Sequence, residues 1–227
     1  MEPVPYLVTL HVWRVPSSRV PEALLRMAVD RGRARRTPGV RFAKMLGTGD
    51  GRTFTARDAD ATRWAKLTTW ATPGPDPVAE QWGRFAEQTW RVDLRPLTST
   101  GRWSGRQPFG CPVPERYDGP VAAVTRARLS TRRAGAFWRA VPPVSAELHR
   151  SPGLLAALGI GEAPVGLQGT FSLWSSPADL LAFAHRSVAH TTAIADTARL
   201  GWYAEELFAR FAVVGSAGTL DGRNPLS

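Results

Sequence analysis

The sequence predicts an α+β protein in which two ferredoxin-like units close together into one barrel. The first half follows the order β-α-β-β-α-β, and the same order begins again near residue 121. In addition, three sequence landmarks recur in both halves, in the same order. A single ferredoxin-like sheet leaves one face uncovered, whereas two fused units can cover each other. We therefore expect a fused dimeric α+β barrel with one ferredoxin-like half at 1–110 and the other at 111–227.

The first half supplies four strands and two helices. Leu7–Val15 alternates and is rich in β-branched and aromatic residues, which favours a strand. Pro21 opens a helix that ends near Arg36, where Thr37-Pro38-Gly39 stops it. The remaining elements are strands at Val40–Leu46, Trp64–Trp70 and Val92–Leu97 and a helix from Val78 to about Trp90.

The second half repeats this order with a longer final helix. The pattern predicts a strand at Val121–Leu129, a helix at Thr131–His149 broken at Pro142-Pro143, an apolar run at Leu154–Ile160 and a strand at Gly166–Trp174. A long helix then starts behind a Ser cap at Ser175 or Ser176, because Pro177 is tolerated in a first turn. The last strand is predicted at Phe211–Val214, which leaves Glu205 and Glu206 on the helix.

The repeat can be measured by subtracting residue numbers. Gly39 matches Gly153 at an offset of 114, and Trp70 matches Trp174 at an offset of 104. The Gly-Arg pairs that end in Arg106 and Arg223 match at an offset of 117. The first half thus carries about ten extra residues between its middle strands, and the second about thirteen extra in its last helix. The halves therefore differ at that helix, which predicts an asymmetric site.

Composition limits the classes of function. The 227 residues carry 29 Lys and Arg against 19 Asp and Glu, a net charge of +10. The basic residues are scattered and accompany no nucleic-acid-binding motif, so we expect no nucleic-acid partner. The single cysteine, Cys111, excludes an internal disulfide and indicates a cytoplasmic protein. We expect neither a transmembrane helix nor a signal peptide.

Several common catalytic motifs are missing. Gly47-Thr-Gly-Asp-Gly51 precedes no helix and is typical of a turn rather than a nucleotide loop. No Gly-x-Ser-x-Gly elbow marks a nucleophile. A zinc site needs a third ligand beside His185 and His190. Cys111 lies in the predicted linker and is interpreted as a free thiol, and adjacent Glu205 and Glu206 point to different faces, so one is solvated.

The long helix places one histidine on an apolar face. Residues at 3–4 residue spacing share that face: Leu180, Phe183, Ser187, His190 and Ile194. His190 is either a satisfied core histidine or a ligand. Haem iron needs one protein ligand and an apolar pocket, and His190 fits better than His185, which is rotated by about 140°. Arg186 lies one turn before His190, where it reaches a propionate or is simply solvated.

Several long motifs resemble the spheroidene monooxygenase family. They are Val8-Thr-Leu-His-Val-Trp-Arg14, Pro38 to Gly49 with Phe54-Thr55, Gly161 to Trp174, Phe183-Ala-His-Arg186 with His190, and Gly201 to Phe211. The resemblance implies a haem-containing acyclic carotenoid 2-ketolase that uses O₂ and reduced ferredoxin to oxidise a terminal methylene, twice, to a ketone. His185 stands where the family's motif has tyrosine, which leaves His190 as the predicted ligand.

This interpretation assigns roles to five residues. His190 is predicted to ligate the iron of haem b, Arg186 and Lys44 to meet the propionates, and Phe171 and Trp174 to line the pocket of a small apolar or biosynthetic substrate. Two alternatives stay open: a cofactor-free monooxygenase-like barrel, and a non-catalytic haem- or polyene-binding protein. The positive charge further predicts peripheral association with the inner face of an anionic membrane.

Overall fold

Eight antiparallel strands form a closed barrel in the computed structural model, which describes residues 2–50, 58–129, 145–162, 169–186 and 203–227. Around the barrel the order is β1-β3-β2-β6-β7-β5-β8-β4. The strands are β1 (Leu7–Arg14), β2 (Val40–Gly49), β3 (Ala59–Trp70), β4 (Gln88–Gly101), β5 (Val121–Leu129), β6 (Leu154–Gly161), β7 (Gly169–Trp174) and β8 (Tyr203–Gly218).

Helices cover the outside of the barrel. They are α1 (Val20–Arg36), which follows a 3-10 turn at Ser17–Arg19, α2 (Pro77–Phe85) and α3 (Pro177–Arg186); residues 145–150 are also helical. Asp76 caps α2 by accepting a hydrogen bond from the backbone N–H of Ala79 at 3.0 Å. Gly39 ends the turn after α1 with a φ of +80°, where a Cβ would lie 2.1 Å from the Thr72 carbonyl oxygen.

The predicted fold class is confirmed. Strands β4-β1-β3-β2 form one ferredoxin-like sheet, and β6-β7-β5-β8 form the other. The two sheets join through β2–β6 and β4–β8, which leaves the barrel without a free edge. The division at residue 110/111 stays a prediction.

Strand registers show how closely the halves repeat. Leu7 pairs with Trp70 in the first half, and Val121 pairs with Trp174 in the second. The β2–β3 and β6–β7 ladders slip at matching places, Val40/Phe42 and Leu154/Ala156. Each half also ends in a bridged turn, Trp103–Arg106 or Leu220–Arg223. These registers align the halves residue by residue.

Apolar side chains fill the barrel. The inward residues of all eight strands form one buried cluster, which includes Leu10, Phe42, Trp90, Phe171 and Phe211. The outward residues form two separate clusters, one beneath α1 and α2 and one beneath α3. Each strand therefore presents one face to the barrel interior and the other to the helices.

Several predicted elements are wrong in extent, and β3 and β4 are each longer than predicted. The second helix ends at Phe85, not near Trp90, and Trp90 is buried in the barrel as part of β4. The last strand begins at Tyr203 rather than Phe211, so Glu205 and Glu206 lie on β8 and not on a helix. Strand pairing of β8 with both β4 and β5 outweighs the local helical pattern. Glu205 and Glu206 do point to opposite sides of β8, and Glu206 is exposed.

Part of the predicted second half lies outside the described residues. This applies to most of the predicted helix at Thr131–His149 and to the run beyond Arg186, including Ser187, His190 and Ile194.

Candidate functional site

The start of α3 is fixed against the loop before β6. Ser176 Oγ accepts a hydrogen bond from the Asp179 backbone N–H at 3.2 Å, so the predicted Ser cap is present. Ser175 and Ser176 both donate to the Asp179 carboxylate at 2.6 Å, and these bonds lower the pKa of that carboxyl. A Cβ on Gly153, whose φ is +77°, would lie 2.4 Å from the Asp179 carboxyl carbon. The polar cap therefore sets where α3 crosses the sheet.

Apolar contacts hold α3 on the outer face of β7. Trp174 is fully buried, and its ring stacks on Phe183 with centroids 5.4 Å apart. Its indole N–H donates to Ser172 Oγ at 3.0 Å, and Leu180 packs into the same cluster. Trp174 therefore lies at the centre of the contact between the second sheet and α3.

Next to Trp174, the outer sheet face carries small side chains. The register places Thr125 opposite Thr170 and Ala123 opposite Ser172, with Ala157 beside Ser172 and Gly159 beside Thr170. On the neighbouring strand Phe208 pairs with Thr125 and is 39% exposed. Two larger side chains of β8 stand beside them, Phe208 and, opposite Ala123, Arg210. On β5, β6 and β7 the side chains of this group are no larger than threonine and fill little of the space above the sheet.

The equivalent face of the first half is filled. His11 and Lys66 stand where Thr125 and Thr170 stand in the second half, because the two pairs occupy the same place in matching ladders. By the same register Trp13 replaces Ala127 and Met45 replaces Gly159. Trp13, Trp64, Trp82 and Phe85 pack together over this sheet. The two halves thus share a backbone but differ in what their outer faces can accept.

A buried ion pair completes the filling of the first half. The Lys66 ammonium is 1% exposed and contacts both carboxylate oxygens of Asp76. Burial lowers the pKa of Lys66, against the opposing effect of Asp76. His11 stacks on Trp13, and its buried Nδ1 has no hydrogen-bond partner in the part of the chain that the structure describes. Burial, aided by the Lys66 charge, lowers the pKa of His11 to about 3.

A second polar cluster, which we call the barrel-end cluster, consists of Lys44, Trp103, Arg126, Glu162 and Glu205. Glu162 accepts from Lys44 Nζ at 2.5 Å, from Trp103 Nε1 at 2.6 Å and from Arg126 Nη2 at 3.0 Å. Burial acts to raise the pKa of Glu162, but the bonds from Lys44 and Trp103 and the nearby cations outweigh it and lower that pKa. The hydrogen bonds and nearby cations therefore favour the ionised form of the Glu162 carboxyl group.

Glu205 ties β8 to the turn after β4. It accepts from the backbone N–H groups of Ser104 at 2.9 Å and Gly105 at 2.7 Å, and it also contacts Arg126. Burial raises the pKa of Glu205, but these hydrogen bonds prevail and lower it. Arg126 is 4% exposed, and its Nε has no partner among the described residues. The cluster balances two cations against two carboxylates and closes one end of the barrel.

The structure describes the side chains of three of the five predicted site residues, with Trp174 on the outer face of the barrel and Phe171 and Lys44 on the inner face. Trp174 lies beneath α3, whereas Phe171 points into the barrel with its ring edge toward Trp90, 6.1 Å away. Lys44 also points inward and donates to Glu162 and to Ser104 at 2.6 Å. Arg186 is the last described residue of α3, and His190 lies outside the described residues. Only Trp174 is therefore placed with α3 by contacts.

Sequence reasoning missed the residues that distinguish the second sheet. Thr125, Thr170, Gly159 and Phe208 gave no motif, and a comparison of the halves position by position was the signal that could have found them. The barrel-end carboxylates gave no such signal, since Glu162 and Glu205 meet Arg126 only through the fold.

The described residues contain no group of three or more His, Cys, Asp and Glu side chains that could hold a metal ion. Within the same ranges, no helix has the length and apolar character needed to cross a membrane. Cys111 is a free, exposed thiol.

Comparison with solved structures supports the fold class. Two crystal structures of aldoxime dehydratase, one of them with butyraldoxime bound, match with TM-scores of 0.53 and 0.54. Each match covers 91% of this chain and 80% or 79% of the other, at 10% or 9% identity. The likeness shows a shared fold, the duplicated ferredoxin-like barrel.

Curated relatives identify the family. The chain is 34% identical over 223 residues to a spheroidene monooxygenase of Rhodobacter capsulatus. This match covers 93% of the chain and 91% of that protein. It is 37% identical over 194 residues to one of Rubrivivax gelatinosus, with 82% and 73% covered, and 31% identical to one of Cereibacter sphaeroides, with 83% and 60% covered. No protein-family model matches. The chain belongs to the spheroidene monooxygenase family, as the sequence motifs predicted.

Proposed function

We propose that this chain is a haem-dependent monooxygenase that oxidises an apolar, carotenoid-like substrate with O₂ and an electron donor such as reduced ferredoxin. The names of the three curated relatives support oxygenation and suggest an acyclic carotenoid as the substrate. The motifs quoted above imply haem b as the cofactor. The chain's oxidoreductase character follows from the family, and the cofactor and substrate are our proposal.

The difference between the two outer sheet faces carries this proposal. In the second half, threonine, alanine and glycine replace the histidine, tryptophan, methionine and lysine that fill the first. A flat macrocycle needs such a face, because side chains larger than threonine would stand where the ring lies. The small residues of β5, β6 and β7 therefore fit a haem on the second sheet beside α3, whereas the residues of the first half do not.

Each part of this face has a proposed role. His190 would ligate the iron, and Arg186, at the end of α3, would pair with a propionate. Trp174 and Phe208 would supply aromatic walls that exclude water from the reacting carbon. When bound, haem supplies the oxygen and one-electron chemistry that none of these side chains can perform.

The two inward residues keep a weaker connection to this site. Lys44 already donates to Glu162 and Ser104, so a propionate would compete with both. Phe171 lies in the closed interior against Trp90. Substitution of Lys44 or Phe171 tests these two roles.

Peripheral association with a membrane, where a polyene substrate dissolves, is part of the same proposal.

The proposal is tested by haem titration of a variant in which a large side chain fills the outer face of the second sheet. Thr125→Trp places a large ring at the centre of the second face, whereas Thr89→Trp places the same ring at an exposed strand position of the first half. We expect Thr125→Trp to lose haem binding by about tenfold or more, since overpacking costs about 1–3 kcal/mol, and Thr89→Trp to bind normally.

Turnover distinguishes the proposal from its alternatives. The haem-loaded chain, given reduced ferredoxin and an acyclic carotenoid, should consume O₂ and form a ketone over many turnovers. Oxygen consumption by protein that binds no haem would instead establish a cofactor-free barrel. Tight haem or polyene binding without turnover would establish a binding protein.

A further inference from the structure

The outer side of α1 exposes a continuous apolar surface. Leu24, Leu25 and Val29 are 42%, 66% and 56% exposed, and Pro21 and Ala28 beside them are also exposed. We call these five residues the α1 patch. Isolated exposed aliphatic residues are ordinary, but five on adjacent turns of one helix are typical of an interaction site.

The patch cannot turn inward, because the opposite side of α1 is already packed. Ala23, Met27, Asp30 and Ala34 recur at helical spacing and are buried against the sheet and α2. Asp30 fixes the helix further by accepting from the Trp82 indole N–H at 2.9 Å. The five apolar residues are therefore held in solvent by the fold itself.

Basic residues follow the patch along the same helix. Arg33, Arg35 and Arg36 are exposed in its last turns, whereas the one acid of the first turn, Glu22, is paired with Arg19 and Arg26. Arg33 pairs with Asp30, but neither Arg35 nor Arg36 has a carboxylate partner among the described residues. Arg35 only donates to the Arg31 carbonyl oxygen, at 3.0 Å. Two guanidinium charges are thus free for an outside anion.

We propose that α1 docks this protein on an anionic lipid surface, with the patch in the interface and Arg35 and Arg36 on lipid phosphates. A convex helix with aliphatic residues at one end and cations at the other matches a bilayer surface, which offers hydrocarbon and phosphate side by side. A second copy of the chain fits less well, because docking two chains of net charge +10 brings like charges together. The inference rests on the membrane association within the proposed function and names the surface that would carry it.

Vesicle co-sedimentation tests the docking surface. The full chain, with and without added haem, is mixed with vesicles of phosphatidylcholine alone or with phosphatidylglycerol added. We expect binding to the anionic vesicles that weakens as salt is raised. Arg35→Gln with Arg36→Gln should lower the partition about twenty-five-fold, at roughly fivefold for each cation. Leu25→Ser with Val29→Ser should lower it about tenfold, from lost apolar contact.

A matched control alters the same residue types elsewhere. Val113→Ser with Arg116→Gln removes one exposed aliphatic residue and one exposed charge, at sites that are 84% and 91% exposed, between β4 and β5. This control should bind vesicles like the wild type, and all variants should keep the wild-type urea midpoint because the changed side chains are exposed.

Three outcomes overturn the proposal. The first is unchanged binding by both α1 variants, and the second is an equal loss in the control. The third is a wild type that forms dimers by light scattering, ignores vesicles and becomes monomeric on Leu25→Ser with Val29→Ser, which would make the patch a contact between copies. Vesicle binding is measured without turnover, so its failure and the failure of the proposed function are distinguishable.

Discussion

Asp76→Asn should strongly destabilise the protein, because it leaves the Lys66 ammonium without its counter-ion. Lys66 is 1% exposed, and Asp76, with both oxygens against it, is 11% exposed. Asparagine has the shape of aspartate and can still cap α2, so the change removes mainly the charge. Breaking a buried pair by removing one partner costs about 3–5 kcal/mol. We expect that loss in the free energy of unfolding by urea at pH 7.

Removing the cation instead of the carboxylate should cost less stability. Lys66→Met removes the buried cation and leaves Asp76 near the surface, where water can reach it, so we expect a loss below about 2 kcal/mol. Adding Asp76→Asn to Lys66→Met should then cost little more. The double-mutant cycle should give a coupling of roughly 3 kcal/mol.

The pH dependence gives a second check on the same variant. Burial already lowers the pKa of Lys66 from its ordinary 10.5, and loss of Asp76 should lower it further. Between the folded and unfolded pKa values the unfolded chain binds more protons, so stability rises with pH. Asp76→Asn should therefore be more stable at pH 10 than at pH 7, relative to the wild type. A loss below about 1 kcal/mol at pH 7, or an equal loss in the Lys66→Met background, would refute the reasoning.

Three further predictions concern His11, Gly153 and Glu162. The folded-state pKa of His11 is about 3, so the unfolded chain alone takes up a proton below 6.5 and stability is lost as pH falls. His11→Gln should remove roughly 2 kcal/mol of that loss between pH 7 and pH 5 in urea titrations, and an unchanged slope would contradict it. Gly153→Ala should cost about 1–3 kcal/mol by thermal or urea unfolding, since its Cβ would meet Asp179; Gly74→Ala, where a Cβ meets nothing within 4 Å, is the control. Glu162→Gln should lower the free energy of unfolding by roughly 1–3 kcal/mol at pH 7, because Lys44 and Arg126 lose their shared anion. The loss should be smaller at low pH, where protonation of Glu162 removes the same stability from the wild type. An equal loss at pH 7 and pH 3 would contradict this.

Much of the fold could be predicted because its signals are local. Alternation indicates β1, and the matched Pro-Gly and Trp landmarks indicate the repeat without any information on strand pairing. The start of β8 was missed because Tyr203–Phe211 has no turn residue and satisfies a helical pattern. Its strand conformation depends on pairing with β4 and β5, which are distant in sequence.

The candidate site was harder to predict for the same physical reason. Trp174 was assigned to the pocket from its motif, and it does lie beneath α3. Phe171, three residues earlier, points to the opposite face of the strand, which strand periodicity alone could have indicated. The small residues of the second face have meaning only in comparison with the first half. The landmark offsets of 114 and 104 already align these positions, but only the strand pairing shows which of them share one sheet face.

We propose that one histidine after α3 holds a haem on the second sheet, and an absorption spectrum tests this proposal most directly. The chain is purified after expression with a haem precursor, alongside His190→Ala and, as control, His185→Ala, which changes a histidine five residues away. We expect a Soret band in the wild type and in His185→Ala and its loss or marked shift in His190→Ala. A protein that stays colourless on haem titration, or an unchanged band in His190→Ala, would contradict this account.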